Sequence, residues 1–111
     1  FLARCYTVDE RNRASDYTTD EKYVLFLAKR WAAKEACAKA LGSGIAEGVF
    51  LSDIEIMNLS SGQPTVNLYE GAKNKLKTLT PQGMTAHIHI SISDEPPFAL
   101  AFVVISIMAK V

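Results

Sequence analysis

At 111 residues the chain is long enough for one domain with its own core, and too short to expect two. Its apolar fraction of 49% supplies that core, while 12 basic residues balance 12 acidic ones. The balance gives no sign of a nucleic-acid or membrane-surface binder, no apolar run reaches the ~18 residues of a membrane span, and no signal-peptide pattern is present.

Phe1 to Thr7 is mixed in character and fits the tail of a helix. Asp9 to Tyr17 is polar and reads as a short helix or a loop. Thr18 with Glu21 fits a capping box, and a long helix is predicted from about Thr19 to Leu41, free of Gly and Pro and stopped at Gly42. On it Val24, Leu27, Ala28, Trp31, Glu35 and Ala38 fall at the spacing of one helix face, apolar except at Glu35. Phe50 to Asn58 reads as a strand, Ser60 to Gln63 as a turn and Pro64 to Tyr69 as the second arm of a hairpin. Gly71 to Leu79 is a short helix with Ala72, Leu76 and Leu79 on one side. Thr85 to Ser93 alternates, Ile88, Ile90 and Ile92 against His87, His89, Ser91 and Ser93. Asp94 to Pro97 turns the chain into a last apolar strand, Phe98 to Met108. One long helix and one short helix against a small antiparallel sheet make the fold class α+β, with residues 1–111 a single domain.

Cys5 and Cys37 stand far apart, without zinc-type or Cys-x-x-Cys spacing, and are predicted to be free thiols of a cytoplasmic protein. Cys37 lies among alanines, where a reduced cysteine packs as a small hydrophobe. His87 and His89 share a strand face, which a strand's polar side explains without a metal. Lys73, Lys75 and Lys77 read as a solvated helix face, and Tyr69 and Trp31 as core or interface residues.

Glu35 and Lys39 are the residues that could carry chemistry. At a spacing of four, acid first, they can form an ordinary helical ion pair. Glu35 lies on the apolar face, however, and Gly42-Ser43-Gly44 follows Lys39 within one turn, so that backbone can approach a ligand closely. A carboxylate that wants a cation beside a lysine that suits an anion fits a metal-bound phosphate. The glycines follow a helix and do not precede one, so neither nucleotide-binding loop motif is matched and phosphate would depend on Lys39, nearby arginines and a divalent ion.

Phe26-Leu27-Ala28-Lys29-Arg30-Trp31-Ala32-Ala33-Lys34-Glu35-Ala36, continued by Lys39-Ala40-Leu41-Gly42-Ser43-Gly44-Ile45, resembles the signature of holo-acyl-carrier-protein synthases. Asp53-Ile54-Glu55-Ile56, Gly62-Gln63-Pro64 and His89-Ile90-Ser91-Ile92-Ser93-Asp94 extend the resemblance over nearly the whole chain. It implies the 4′-phosphopantetheinyl transferase fold. The implied activity is magnesium-dependent transfer of 4′-phosphopantetheine from coenzyme A to a serine of an acyl-carrier protein, a step of fatty acid biosynthesis, with release of adenosine 3′,5′-bisphosphate. It further implies that Glu35 is a magnesium ligand, that Lys39 contacts the coenzyme phosphates, and that Gly42, Ser43 and Gly44 line the coenzyme pocket. Arg30 is a secondary candidate for a phosphate contact. Asp94 stands where relatives carry His or Asp, and its role as the opener of a Pro-Pro turn is equally available. Glu35, or a water it orients, is the expected base, and the expected assembly is a homotrimer with sites between subunits.

The sequence departs from the family at its start, where a strand carrying Gly-x-Asp-Ile and a second magnesium-ligand Asp is expected and not found; Asp9 comes too late to replace it. The alternative this leaves is a non-catalytic oligomeric coenzyme A-binding module that has lost its metal pair. A divalent-metal phosphohydrolase would need a carboxylate cluster that the chain does not offer.

Overall fold

The computed structural model describes residues 2–95 and 97–110. Two short helices open the chain, α1 (Leu2–Cys5) and α2 (Val8–Ala14), followed by the long α3 (Asp20–Ala40). A 3₁₀ turn at Leu51–Asp53 leads into β1 (Ile54–Asn58), which pairs antiparallel with β2 (Pro64–Leu68). Helix α4 (Glu70–Leu79) then connects to β3 (Met84–Glu95) and its antiparallel partner β4 (Phe98–Ala109). The architecture is the expected α+β, but with two separate two-stranded sheets. Of the turn predicted at Asp94–Pro97, Asp94 and Glu95 instead continue β3, paired with Ala99 and Phe98, and Pro96 lies outside the described residues.

Local chemistry accounts for most boundaries. Helix α3 ends where Gly42 takes φ +82°, a left-handed conformation that L side chains resist, and its amide donates to the Lys39 carbonyl at 2.9 Å. Its N-cap is Thr19, whose hydroxyl accepts from the Lys22 amide, so the box expected at Thr18 and Glu21 does not form. A full capping box sits instead at Thr7 and Glu10, opening α2. The strand predicted from Phe50 begins only at Ile54, because Leu51–Asp53 coils into a 3₁₀ turn with the Asp53 amide bonded to the Phe50 carbonyl.

The core lies where α3, β1 and α4 meet, around Ala33, Cys37, Leu41, Ile54, Ile56 and Ala72, with Ile90, Ile92, Val103 and Ile105 of the second hairpin packed against it. A smaller cluster joins Cys5, Tyr6 and Leu51, flanked by Leu27 and Trp31. Where α4 meets the loop after α3, contact is backbone to backbone. A Cβ on Gly71 would stand 1.8 Å from the Gly48 carbonyl oxygen, so only glycine fits. Lys75 adds an ion pair to Glu47 of the same loop at 3.2 Å.

The second hairpin is long. Twelve residues per strand at ~3.4 Å each give roughly 40 Å, most of the molecule's 47 Å long axis. Its inner face is covered by α3, whereas Phe98 (66% exposed), Phe102 (68%), Val104 and Met108 lie on the open face of β4.

Candidate functional site

Helix α3 turns a different face to the core than apolarity alone predicts. The buried residues are Phe26, Arg30, Ala33, Lys34, Cys37 and Ala38. The apolar stripe lies mostly outside that set: Val24 is 61% exposed, Ala28 is exposed, and Leu27, Trp31 and Glu35 are half-buried, Leu27 and Trp31 against the smaller cluster. Of that stripe only Ala38 is in the core. The physical reason is clearest at Lys34, whose ammonium meets a carboxylate and two carbonyls, whereas Arg30 has the Asn58 side chain and the Phe26 ring and keeps one unpartnered nitrogen.

The outward stripe forms the floor of a groove of about 630 Å³, walled by Leu2 and Tyr6 on one side and by Pro97, Phe98 and Ala99 on the other. Among the described residues lining it, Glu35 is the one carboxylate. Lys39, one turn on, is exposed. Among the described residues it makes no ion pair with Glu35, so the simple helical pair that the spacing allowed is not formed. Beyond it the Gly44 amide donates to the Ala38 carbonyl at 3.0 Å, with φ +58°, and Ser43 folds back onto the Gly44 carbonyl. This turn keeps the chain beside Lys39.

Arg30 and Asp94 stand elsewhere. Five residues separate Arg30 from Glu35, roughly 140° around a helix of 3.6 residues per turn. Arg30 is buried, its guanidinium 4.4 Å above the Phe26 ring and donating to the Asn58 side chain at 2.8 Å, with Nε left without a partner. Burial lowers its pKa from the ordinary arginine value, against the pull of Glu10. It borders a small cavity of about 330 Å³ together with Lys29, Gly62 and Pro64. Asp94 pairs with Lys29 at 3.4 Å. A single chain therefore puts Glu35 on one side of α3 and the Arg30, Lys29 and Asp94 group on another.

A larger cleft, about 970 Å³, separates β2 from β3 and holds His87 and His89, but none of Glu35, Lys39, Arg30 or Gly42–Gly44 reaches it. The two imidazole rings are 6.5 Å apart and His89 contacts the Ser106 hydroxyl. Among the described residues no group of three or more His, Cys, Asp or Glu side chains could hold a metal ion.

The residues that sequence reasoning missed lie behind the site. Lys34, immediately before Glu35, is 0% exposed. Its ammonium meets Glu10 Oε1 at 2.6 Å and donates to the carbonyls of Leu51 (3.0 Å) and Ile54. Glu10 also accepts from the amides of Thr7 and Ile56. The Thr7 hydroxyl donates to Glu55 Oε2 at 2.6 Å, and Tyr69 donates to Glu55 Oε1 at 2.9 Å. Burial lowers the Lys34 pKa, opposed by the Glu10 charge and hydrogen bond. Burial would raise that of Glu55, yet hydrogen bonds from Thr7, Tyr69 and Asn67, with the Lys34 charge, hold it below the usual carboxylate range. The Thr-x-x-Glu spacing at Thr7 and Glu10 was the available signal for part of this network.

Comparison with known proteins decides the family. The 4′-phosphopantetheinyl transferase superfamily matches residues 1–101. The chain belongs to that family. A holo-[acyl-carrier-protein] synthase of Phenylobacterium zucineum is 52% identical over 105 residues, spanning 95% of this chain and 74% of the relative. The crystal structure of the holo-[acyl-carrier-protein] synthase from Neisseria meningitidis superposes with a TM-score of 0.77 at 34% identity, covering 99% of this chain and 80% of that one. That of the Helicobacter pylori synthase in complex with coenzyme A gives 0.73 at 30% identity, over 96% and 81%. The transferase fold expected from the signature around Glu35 is thus the fold of this transferase, and its relatives do not favour a non-catalytic module.

Proposed function

We infer that this chain transfers the 4′-phosphopantetheine group of coenzyme A to a serine of apo-acyl-carrier protein, releasing adenosine 3′,5′-bisphosphate. The observation that carries the reading is the family match over residues 1–101, shared with synthases about half identical to this chain. The serine oxygen bonds to the phosphorus that carries pantetheine, and the bond from that phosphorus to the bridging oxygen breaks. The bisphosphate leaves with the electron pair. The serine proton passes to Glu35 or to a water that Glu35 orients.

Magnesium dependence is part of this proposal. Magnesium is commonly held by one or two carboxylates plus substrate phosphates, without an all-protein cage, and one groove carboxylate fits that pattern. Glu35 would hold the ion together with pyrophosphate oxygens, and a bound ion supplies charge neutralisation at those oxygens. Lys39, exposed at the next turn, swings its ammonium to the same phosphates. Gly42, Ser43 and Gly44 let the coenzyme lie against backbone, with Arg30 and Asp94 as further contacts.

The separation of Glu35 from Arg30 and Asp94 around α3 supports a site completed between copies. The open face of β4 supplies the surface: burying each of Phe98, Phe102, Val104 and Met108 is worth ~1.5–3 kcal/mol, and a closed ring of three would cover it. A homotrimer is the assembly proposed. Cys5 and Cys37, both free and buried, suit a cytoplasmic protein, and no described helix is long and apolar enough to cross a membrane.

The test incubates the full-length protein with coenzyme A, magnesium and apo-acyl-carrier protein and weighs the carrier by mass spectrometry. One added phosphopantetheine per carrier is expected; an unmodified carrier would sink the reading. Light scattering at micromolar concentration is expected to return three times the chain mass.

A further inference from the structure

Small side chains dominate the buried face of the second half of α3. Ala33, Cys37 and Ala38 let the helix pack closely, but such smooth contacts do little to resist a small rotation or slide of a helix on its neighbours. Lys34 makes the directional contacts there. An ammonium has three donors, and Lys34 directs its ammonium at Glu10, the Leu51 carbonyl and the Ile54 carbonyl. Those three partners belong to α2, the 3₁₀ turn and the start of β1, which surround α3 on its core side. Glu10 in turn is held by the amides of Thr7 and Ile56. A buried ion pair is often no more stabilising than apolar residues of the same volume, so stability alone does not call for one here.

We propose that Lys34 is a positioning residue for the reaction: through Glu10 and the two carbonyls it fixes the rotation of α3 and hence the direction in which Glu35 enters the groove. Adjacent residues on a helix point about 100° apart, so a side chain locked into the core at position 34 sets the bearing of position 35. The inference rests on the reading of Glu35 as the magnesium ligand. Small misplacements matter in such a site, since a shift of about 1 Å can cost ~100-fold in rate.

The test uses the double variant Lys34→Met/Glu10→Gln, which removes both buried charges; the one carbonyl oxygen of Gln can accept from the Thr7 or the Ile56 amide, but not from both. Circular dichroism checks the fold. The expected result is a folded protein whose kcat falls by about 10-fold or more while the KM for coenzyme A changes less than about threefold, because Lys39 and the glycine turn are untouched. The rise in Tm that magnesium brings in the presence of coenzyme A should shrink as well. Lys34→Arg, which keeps the charge, should recover part of the rate. If the folded double variant keeps wild-type kcat and magnesium response, while Glu35→Gln loses both, Lys34 only stabilises the fold and the proposal is overturned. If Glu35→Gln itself keeps wild-type activity and magnesium response, the reading of Glu35 fails, and the proposal with it. Should the double variant not fold, Lys34→Arg, which keeps the buried charge beside Glu10 but changes the direction of its donors, is read alone by the same three measurements.

Discussion

One side of α3 runs through Val24, Ala28, Trp31 and Glu35 and looks onto an open groove; the other runs through Phe26, Arg30, Ala33, Lys34 and Cys37 and lies in the core. The groove side is apolar but for one carboxylate, while the core side carries two full positive charges. Ordinary burial statistics would assign them the other way round. The difference teaches that a charge enters a core when its partners are supplied from several elements at once. An apolar stripe, by contrast, can be left for a surface with work to do.

Breaking the core side should have the largest effect on stability. Lys34→Ala leaves Glu10 buried without its cation, a loss of about 3–5 kcal/mol by the general behaviour of buried pairs, measurable by urea unfolding. A cost below about 1 kcal/mol would mean that water reaches Glu10 and that the core side is less closed than described. Glu35→Gln, one residue on, makes the contrast sharpest: unfolding free energy should move by less than about 0.5 kcal/mol while transfer falls by orders of magnitude.

Glu55 tests the network behind α3 through pH. Its native pKa lies below the ordinary value, so its contribution is present above the unfolded-state pKa of ~4.3 and is lost as pH falls through the native one. Glu55→Gln should therefore be less stable at neutral pH by about 1–3 kcal/mol, and the gap in Tm should close below about pH 4. A gap that stays constant with pH would assign the effect to packing and not to charge.

The smallest change in stability is expected at Lys39, which is exposed and outside any described ion pair. Lys39→Ala should leave unfolding within about 0.5 kcal/mol and raise the KM for coenzyme A. An unchanged KM would confine phosphate recognition to other groups.

Much of the fold was legible because each signal was local. Gly42 after an unbroken run from Asp20 marked the end of α3, and the alternation of Ile88, Ile90 and Ile92 marked β3. The resemblance around Lys34-Glu35-Ala36 led to the family. The orientation of α3 was not legible, since it depends on Glu10, twenty-four positions before Lys34, and on carbonyls of Leu51 and Ile54 that no residue type encodes. Counting apolar residues favours Trp31 and Val24 for the core, because it assigns no value to a lysine whose donors are all engaged. The start of β1 was missed for a related reason: a 3₁₀ turn and a strand both tolerate Leu51-Ser52-Asp53, and backbone pairing decides between them.

Cys5 and Cys37 each sit in a different cluster, the first with Tyr6 and Leu51, the second in the main core. Burial also raises the Cys37 thiol to about 11. Cys37 is 0% exposed and Cys5 only 9%, so alkylation of each is slowed by its own surroundings and each becomes a clock for its own neighbourhood. Cys5 should be labelled through local opening of α1 and α2, and Cys37 only when the molecule comes apart as a whole. Two rates from one sample would then report local and global opening separately.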